Sequence, residues 1–348
     1  MFQVFVLLTT LNAVESTSLR LDNRANEVAV MIDVFAEKHW LSVNVSPTET
    51  VDDAGFLRRV TLDLAGRVPT YDEARAFAGQ SDLKRRTKVI NRLIDSLEFA
   101  LHFGNVFDQI IQGKHAGDLA FVEYLRRSFQ EGKSWDNLFR ELLVGPWSTD
   151  EQKSAKLFLK KRVQQIDELT NDTSRVFFGV DISCAKCHDH PLVFDWTQDH
   201  YYGLASFFKR TYEFGDNKEI IGEKDDGEVT FVDVDGESHK AQLMFLSGTV
   251  VTEPLADTKF NMIREHALKQ GNYMPPDFRA REQLVEAGLR DSRFFSRAIV
   301  NRIWAYLLGQ GLVHPVEQMH SENPSSIPGL LEWLAEDLVQ SGYDLRRL

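Results

Sequence analysis

The chain has 348 residues, 43% of them hydrophobic and 26% charged, with 10 Pro and 21 Gly. That is enough apolar material for one elaborated domain or for two or three smaller ones, and it excludes an extensively disordered chain. The 52 acidic against 40 basic residues give a net charge of -12, which argues against a general binder of nucleic-acid phosphates, and no basic patch stands out beyond short runs such as Lys160-Lys161-Arg162.

In chain order, Phe2 to Ala13 form an apolar run like the core of a secretory signal, too short to span a bilayer comfortably. No Lys or Arg precedes Arg20, so the usual basic leader is missing. Residues 1–20 are therefore read as a signal or anchor segment, with a buried strand or helix as the alternative, and no other stretch has a membrane-spanning pattern.

From Asn23 to Trp40 the positions Val28, Val30, Met31, Val34 and Phe35 recur at helical spacing. Asp52 and Asp53 cap a second helix whose buried stripe is predicted to be Phe56, Leu57, Val60, Leu62 and Leu64. Thr70-Tyr71-Asp72-Glu73 has the form of a capping box. Amphipathic helices follow over 82–96, 97–113, 118–130 and 134–145. Another runs from near Asp167 through Val176, Phe177, Phe178 and Val180 up to the cysteines, and Asp199 is expected to cap one from His200 to Phe208. Residues 214–228 are polar and read as a loop.

Period-two alternation marks Val229 to Val234 and His239 to Phe245 around Asp235-Gly236, a hairpin with a tight turn, with a third short strand near Gly248 to Val251. Helices resume over 278–288 and 291–308, where Gly309 is a C-cap, and from Pro328 to Val339, stopped by Gly342. Asp344 reads as the N-cap of one more helix. The fold class predicted is mainly α: a multi-helix bundle with a small antiparallel β insertion at about 228–252. The domains read as 21–227, 228–256 and 257–348, the last cut short at its C-terminus.

Both cysteines lie in one stretch, Cys184-Ala185-Lys186-Cys187-His188. Cys-x-x-Cys-His is the pattern of haem c attachment, with each thiol adding to one porphyrin vinyl group. The histidine beside the second cysteine is placed to ligate the iron from the proximal side. Three other readings stay open: a local Cys184–Cys187 disulfide in a haem-free binding or scaffold protein, a redox dithiol, and a zinc site using His188 and His190 with both thiolates, as in a metal-dependent hydrolase. Candidate sixth ligands are His190, His200, His314, Met319 and His320, with Met244 a weaker one. Asp189, Asp195 and Asp199 are candidates to orient histidines, and Trp196, Tyr201, Tyr202, Phe207 and Phe208 are candidates to wall a haem crevice. Whether the chain is an enzyme is not fixed by these residues.

Two longer strings carry a resemblance. Val51-Asp52-Asp53-Ala54-Gly55-Phe56-Leu57-Arg58-Arg59-Val60-Thr61-Leu62-Asp63-Leu64-Ala65-Gly66-Arg67-Val68-Pro69-Thr70 and the block from Cys184 to Phe208 resemble the planctomycete cytochrome-like (cytochrome c type 2) domain family of unknown function. Ala298 to Pro324, with Asn301-Arg302-Ile303-Trp304 and Gly309-Gln310-Gly311-Leu312-Val313, resembles the start of its usual partner domain. The resemblance implies an exported, periplasmic or cell-envelope protein, and with the motif residues the first function read is a c-type haem protein in electron transfer or a haem-coupled redox role, with a redox partner protein. Its cytochrome label rests on the same Cys-x-x-Cys-His motif. One departure is local: Ser326-Ile327-Pro328 stands where the partner domain usually has Ser-His-Pro.

Overall fold

The computed structural model describes residues 27–348 except 191, 192, 256 and 292. The reading of 1–20 as a signal or anchor lies outside the described residues. The mainly α prediction holds: helices dominate, and the described strands form two small antiparallel pairs. No described helix is long and apolar enough to cross a membrane.

The first helix, α1 (27–42), packs against the far end of the chain, with Phe35 6.4 Å from Trp333. Helices α2 (Asp53–Ala65), α3 (Tyr71–Ala78) and α4 (Arg85–Ile94) enclose a small core of Leu57, Phe77, Val89 and Leu93. Asp52 caps α2 by accepting from the Gly55 N–H, and Thr70 with Glu73 makes the reciprocal capping box of α3. The stripe predicted for α2 is too wide: only Leu57 and Thr61 are buried, and Leu62 is exposed. The helix sits at the margin of the bundle, where one narrow face suffices.

The main core begins with α5 (Leu97–Gln112) lying along α6 (Leu119–Glu131). It continues through α7 (Trp135–Leu143), the single turns α8 (Asp150–Lys153) and α9 (Leu157–Lys160), and α10 (Ile166–Phe178). At its centre Phe139 lies 4.7 Å from both Phe177 and Phe295, with Trp135 5.5 Å from Phe177. Such offset and tilted rings pack densely and add attraction beyond their area burial. Arg162 is not part of a basic surface run. It is fully buried, bonded to Asp172 at 2.7 Å, to the Gln112 side chain and to main-chain carbonyls, which is how a buried guanidinium is tolerated.

Three local expectations are corrected. The helix leading to the cysteines ends at Gly179 in the left-handed conformation, short of the motif. The segment 214–228 is not all loop: Ile220–Glu223 (β2) pairs antiparallel with Thr211–Phe214 (β1), so a hairpin precedes the predicted insertion. Four-residue strands, neither of which alternates between buried and exposed positions, give too short a pattern to read. Helix α11 (Gln198–Ser206) starts two residues earlier than expected and is capped by Thr197, because Asp199 already lies inside its first turn.

The predicted hairpin forms as Thr230–Val232 (β3) with Ser238–Lys240 (β4), and the third strand is reduced to a bridge between Met244 and Val250. Helix α12 (Thr258–Lys269), capped by Asp257, went unpredicted because it buries little along its length beyond Arg264. The chain closes with α13 (Ala280–Arg290), α14 (Phe295–Leu308) and α15 (Leu330–Gln340). Asp344 caps only a turn, accepting from the Arg346 N–H. Residues from Val28 to Tyr343 share one buried cluster. The last third is also stitched to α10: Asp181 N–H donates to Glu317, Met319 N–H to Gly179, and Arg302 to the Arg175 carbonyl.

Candidate functional site

After Gly179 the chain crosses the end of the core and forms one tight 3-10 turn, Ser183–Lys186. Ile182 and Ala185 are fully buried and anchor it, while Cys184, Cys187 and His188 are exposed. The small side chain at Ala185 is what allows the turn to sit flat on the core. Cys187 N–H donates to the Cys184 carbonyl, so both thiols project from a single closed turn. Both are free thiols.

The turn is held from below by polar contacts. The Lys186 carbonyl accepts from the Tyr202 hydroxyl at 2.9 Å and from the Gln198 amide at 3.4 Å. Lys186 Nζ reaches Asp167 at 2.6 Å, and Asp167 also accepts from Tyr201. Burial works to raise the Asp167 pKa, but the hydrogen bonds from Lys186 and Tyr201 prevail and lower it. Lys186 is raised by the same hydrogen bond to Asp167. Tyr202 is itself supported by the β insertion, since its ring stacks on Phe231 of β3 at 4.4 Å. A small hairpin that looks incidental in sequence thus props the residue that positions the motif.

The histidines divide by tautomer. His188 Nδ1 lies 2.7 Å from the Asp189 carbonyl. A carbonyl only accepts, so Nδ1 carries the proton and the neutral ring keeps its lone pair on Nε2. His200 is the reverse: its Nδ1 accepts from the Thr197 N–H at 3.3 Å, leaving Nε2 as the N–H. His188 is therefore set up to ligate through Nε2, and His200 to donate.

The candidate sixth ligands are not gathered at the motif. His200, Met319 and His320 line one cavity of about 660 Å³, whose lining includes neither cysteine nor His188. Met319 is buried, its sulfur close to Gly179. His314 is exposed and His190 half-buried, and neither lines that cavity. Met244 packs beside Gly203. Among the described residues no three His, Cys, Asp or Glu side chains are disposed to hold a metal ion, so Cys184, Cys187, His188 and His190 are not drawn around one point.

Of the predicted supporting residues, Asp189 accepts from the Gln198 N–H and Asp195 from both the N–H and hydroxyl of Ser321. Tyr201, Phe207 and Phe208 are fully buried core residues and Trp196 nearly so. Sequence reasoning missed Asp167, Gln198 and the stacking residue Phe231, whose roles arise only from tertiary placement.

The PSCyt2 family model, described as a protein of unknown function (DUF1549), matches residues 31–213, just over half of the chain. The chain belongs to the PSCyt2 family. A second model, PSD1, also a protein of unknown function (DUF1553), matches residues 280–348. No curated protein and no solved structure matches the chain. The PSCyt2 segment contains the whole motif turn and its supports Asp167, Gln198 and Tyr202, while Phe231 lies beyond it.

Proposed function

We propose that the chain is an exported protein that carries one covalent c-type haem and works in electron transfer or another haem-coupled redox role. The observation that carries this reading is the motif turn: two free, exposed thiols and the exposed His188, whose Nε2 lone pair is left open by the Nδ1 bond to Asp189. Attachment of this type would add each thiol across one vinyl group as a thioether and use one imidazole as an iron ligand, and the turn offers all three with no other cysteine in the chain. Bound there, the group would supply a one-electron couple, exchanged with a redox partner protein.

The chain's own residues set the terms of that attachment. Cys184 and Cys187 are the anchors and His188 the proximal ligand. Tyr202, Gln198 and the Lys186–Asp167 pair fix the turn's orientation, so the thiols do not have to be ordered when the porphyrin arrives. Export follows from the chemistry, because c-type attachment is carried out on the far side of the cytoplasmic membrane.

The test is expression of the chain in a periplasm with cytochrome c maturation, followed by denaturing electrophoresis with a haem peroxidase stain and a spectrum of the reduced protein. A stained band with an α-absorption is expected, and Cys184→Ser should weaken or abolish it. A colourless, unstained band under maturation-competent conditions would sink the reading, and metal analysis of that colourless protein would then ask for zinc.

A further inference from the structure

The cavity of about 660 Å³ lies beside the motif, not on it. Its walls come from three parts of the chain: Asp195, Trp196 and His200 from the PSCyt2 segment, Leu246 and Ser247 from the region between the two family matches, and Arg293 to Glu332 from the last third. It is joined to the motif loop through the His190 N–H, which donates to the Trp196 carbonyl. The volume is in the range of small-molecule sites, and junctions between chain segments are where such sites concentrate.

The wall of the cavity holds polar atoms whose hydrogen bonds are unmet. Two of its buried polar atoms, Arg297 Nε and His320 Nδ1, have no hydrogen-bond partner among the described residues. Buried polar groups in folded proteins are nearly always satisfied, so two unmet atoms on one cavity wall are where a ligand gains hydrogen bonds. His200 adds a donor, since its Nδ1 is occupied by the Thr197 N–H and its proton sits on Nε2. Arg293 stands at the rim, two-thirds exposed. The acidic groups do not offset these donors equally. Asp195 is spent on both the N–H and hydroxyl of Ser321. Asp291 is engaged by Arg293 at 2.7 Å, and Glu332 touches Arg297 at 3.2 Å while remaining half exposed, where an entering anion can displace it.

We propose that this cavity is a binding site for a small oxyanion, a carboxylate or a phosphate, held by Arg297, Arg293, His200 and His320. A planar guanidinium takes two oxygens of such a group at once, and the His200 Nε2–H fills a further lone pair. Arg297 already meets Glu332 at 3.2 Å, so an entering oxyanion exchanges one carboxylate for another at the guanidinium and adds a bond to the unmet Nε. The site does not depend on haem, and its ligand is free to enter whether or not the motif is loaded.

The experiment is calorimetric titration of the full chain with sodium succinate, with inorganic phosphate and with glucose as the neutral control. One of the two anions is expected to bind saturably at a single site, and which one binds distinguishes a carboxylate from a phosphate ligand. Arg297→Gln should weaken it by about tenfold or more, as loss of a charge-assisted hydrogen bond implies. Arg293→Gln should weaken it in the same direction, and its exposed position keeps that variant folded if Arg297→Gln is unstable. Binding should also weaken as ionic strength rises. The proposal is overturned if neither anion binds, if both variants bind as the parent does, or if glucose binds equally well.

Discussion

Two regions separated by a few residues of one chain segment obey opposite rules. Phe177, at the end of α10, is fully buried among Trp135, Phe139 and Phe158, at ring distances of 4.7 to 5.7 Å. Cys184, Cys187 and His188 are exposed, and only Ala185 between them reaches the core. The first region owes its shape to dense packing of large rings, the second to a handful of hydrogen bonds onto main-chain carbonyls. The difference teaches how an exposed chemical group is made rigid without being covered. The core ends in a left-handed glycine, and the turn beyond it is pinned by Tyr202, Gln198 and Asp167.

The comparison breaks most visibly at the core. Phe177→Ala should cost about 3–5 kcal/mol of stability through lost transfer energy and the cavity left behind. Urea unfolding of the parent and variant measures it. Haem staining of whatever folded protein remains should be unchanged, because no motif contact involves that ring. A loss below about 1.5 kcal/mol would mean that the surrounding rings collapse into the gap, and that the packing there is far more forgiving than the ring geometry implies.

A smaller change falls on the turn. Tyr202→Phe keeps the ring stacked on Phe231 but removes the hydroxyl bond to the Lys186 carbonyl. Stability should fall by about 0.5–1.5 kcal/mol, the usual net worth of one hydrogen bond. The more telling readout is local: the Cys187 amide, which closes the turn onto Cys184, should exchange with solvent faster than in the parent. If that amide is unaffected, the turn is held by Gln198 and the Lys186–Asp167 pair alone, and the hairpin's contribution through Phe231 drops out.

How much of this was legible follows the same division. The long amphipathic helices, the Thr70–Glu73 capping box and the Asp235-Gly236 hairpin were readable because their signals are local, set by spacing and by caps. The motif was readable because both cysteines and the histidine fall in one five-residue stretch. The β1–β2 hairpin and α12 escaped, since four-residue strands and a helix with one buried residue leave almost no periodic trace. The narrow face of α2 escaped for a different reason: periodicity reports which residues are apolar, not how much of a face a neighbour covers. The supports of the turn were out of reach as well. Nothing in Phe231 or Asp167 taken singly points to a residue far along the chain, and only the fold brings them to Tyr202 and Lys186.

The finest distinction between the regions is electrostatic, and His200 carries it. This ring is half-buried at the first turn of α11, where burial and the positive helix end both disfavour its charged form. Burial lowers its pKa from the usual 6.5, with Asp199, Asp189 and Asp195 offsetting part of the effect. The folded protein therefore holds the ring neutral at a pH where the unfolded chain already protonates it. The associated stability is fully present above the unfolded value near 6.5, and it is lost as the pH falls toward and through the lowered folded value. Thermal melts from pH 8 down to pH 5 should show this decline, and His200→Gln, which cannot take up the proton, should flatten the part of it that begins near 6.5. The effect is the smallest of the three because it involves one partly exposed ring. If the two melting profiles run parallel across that window, His200 titrates freely in the fold, and its Nδ1 contact with Thr197 does not hold the tautomer assigned to it.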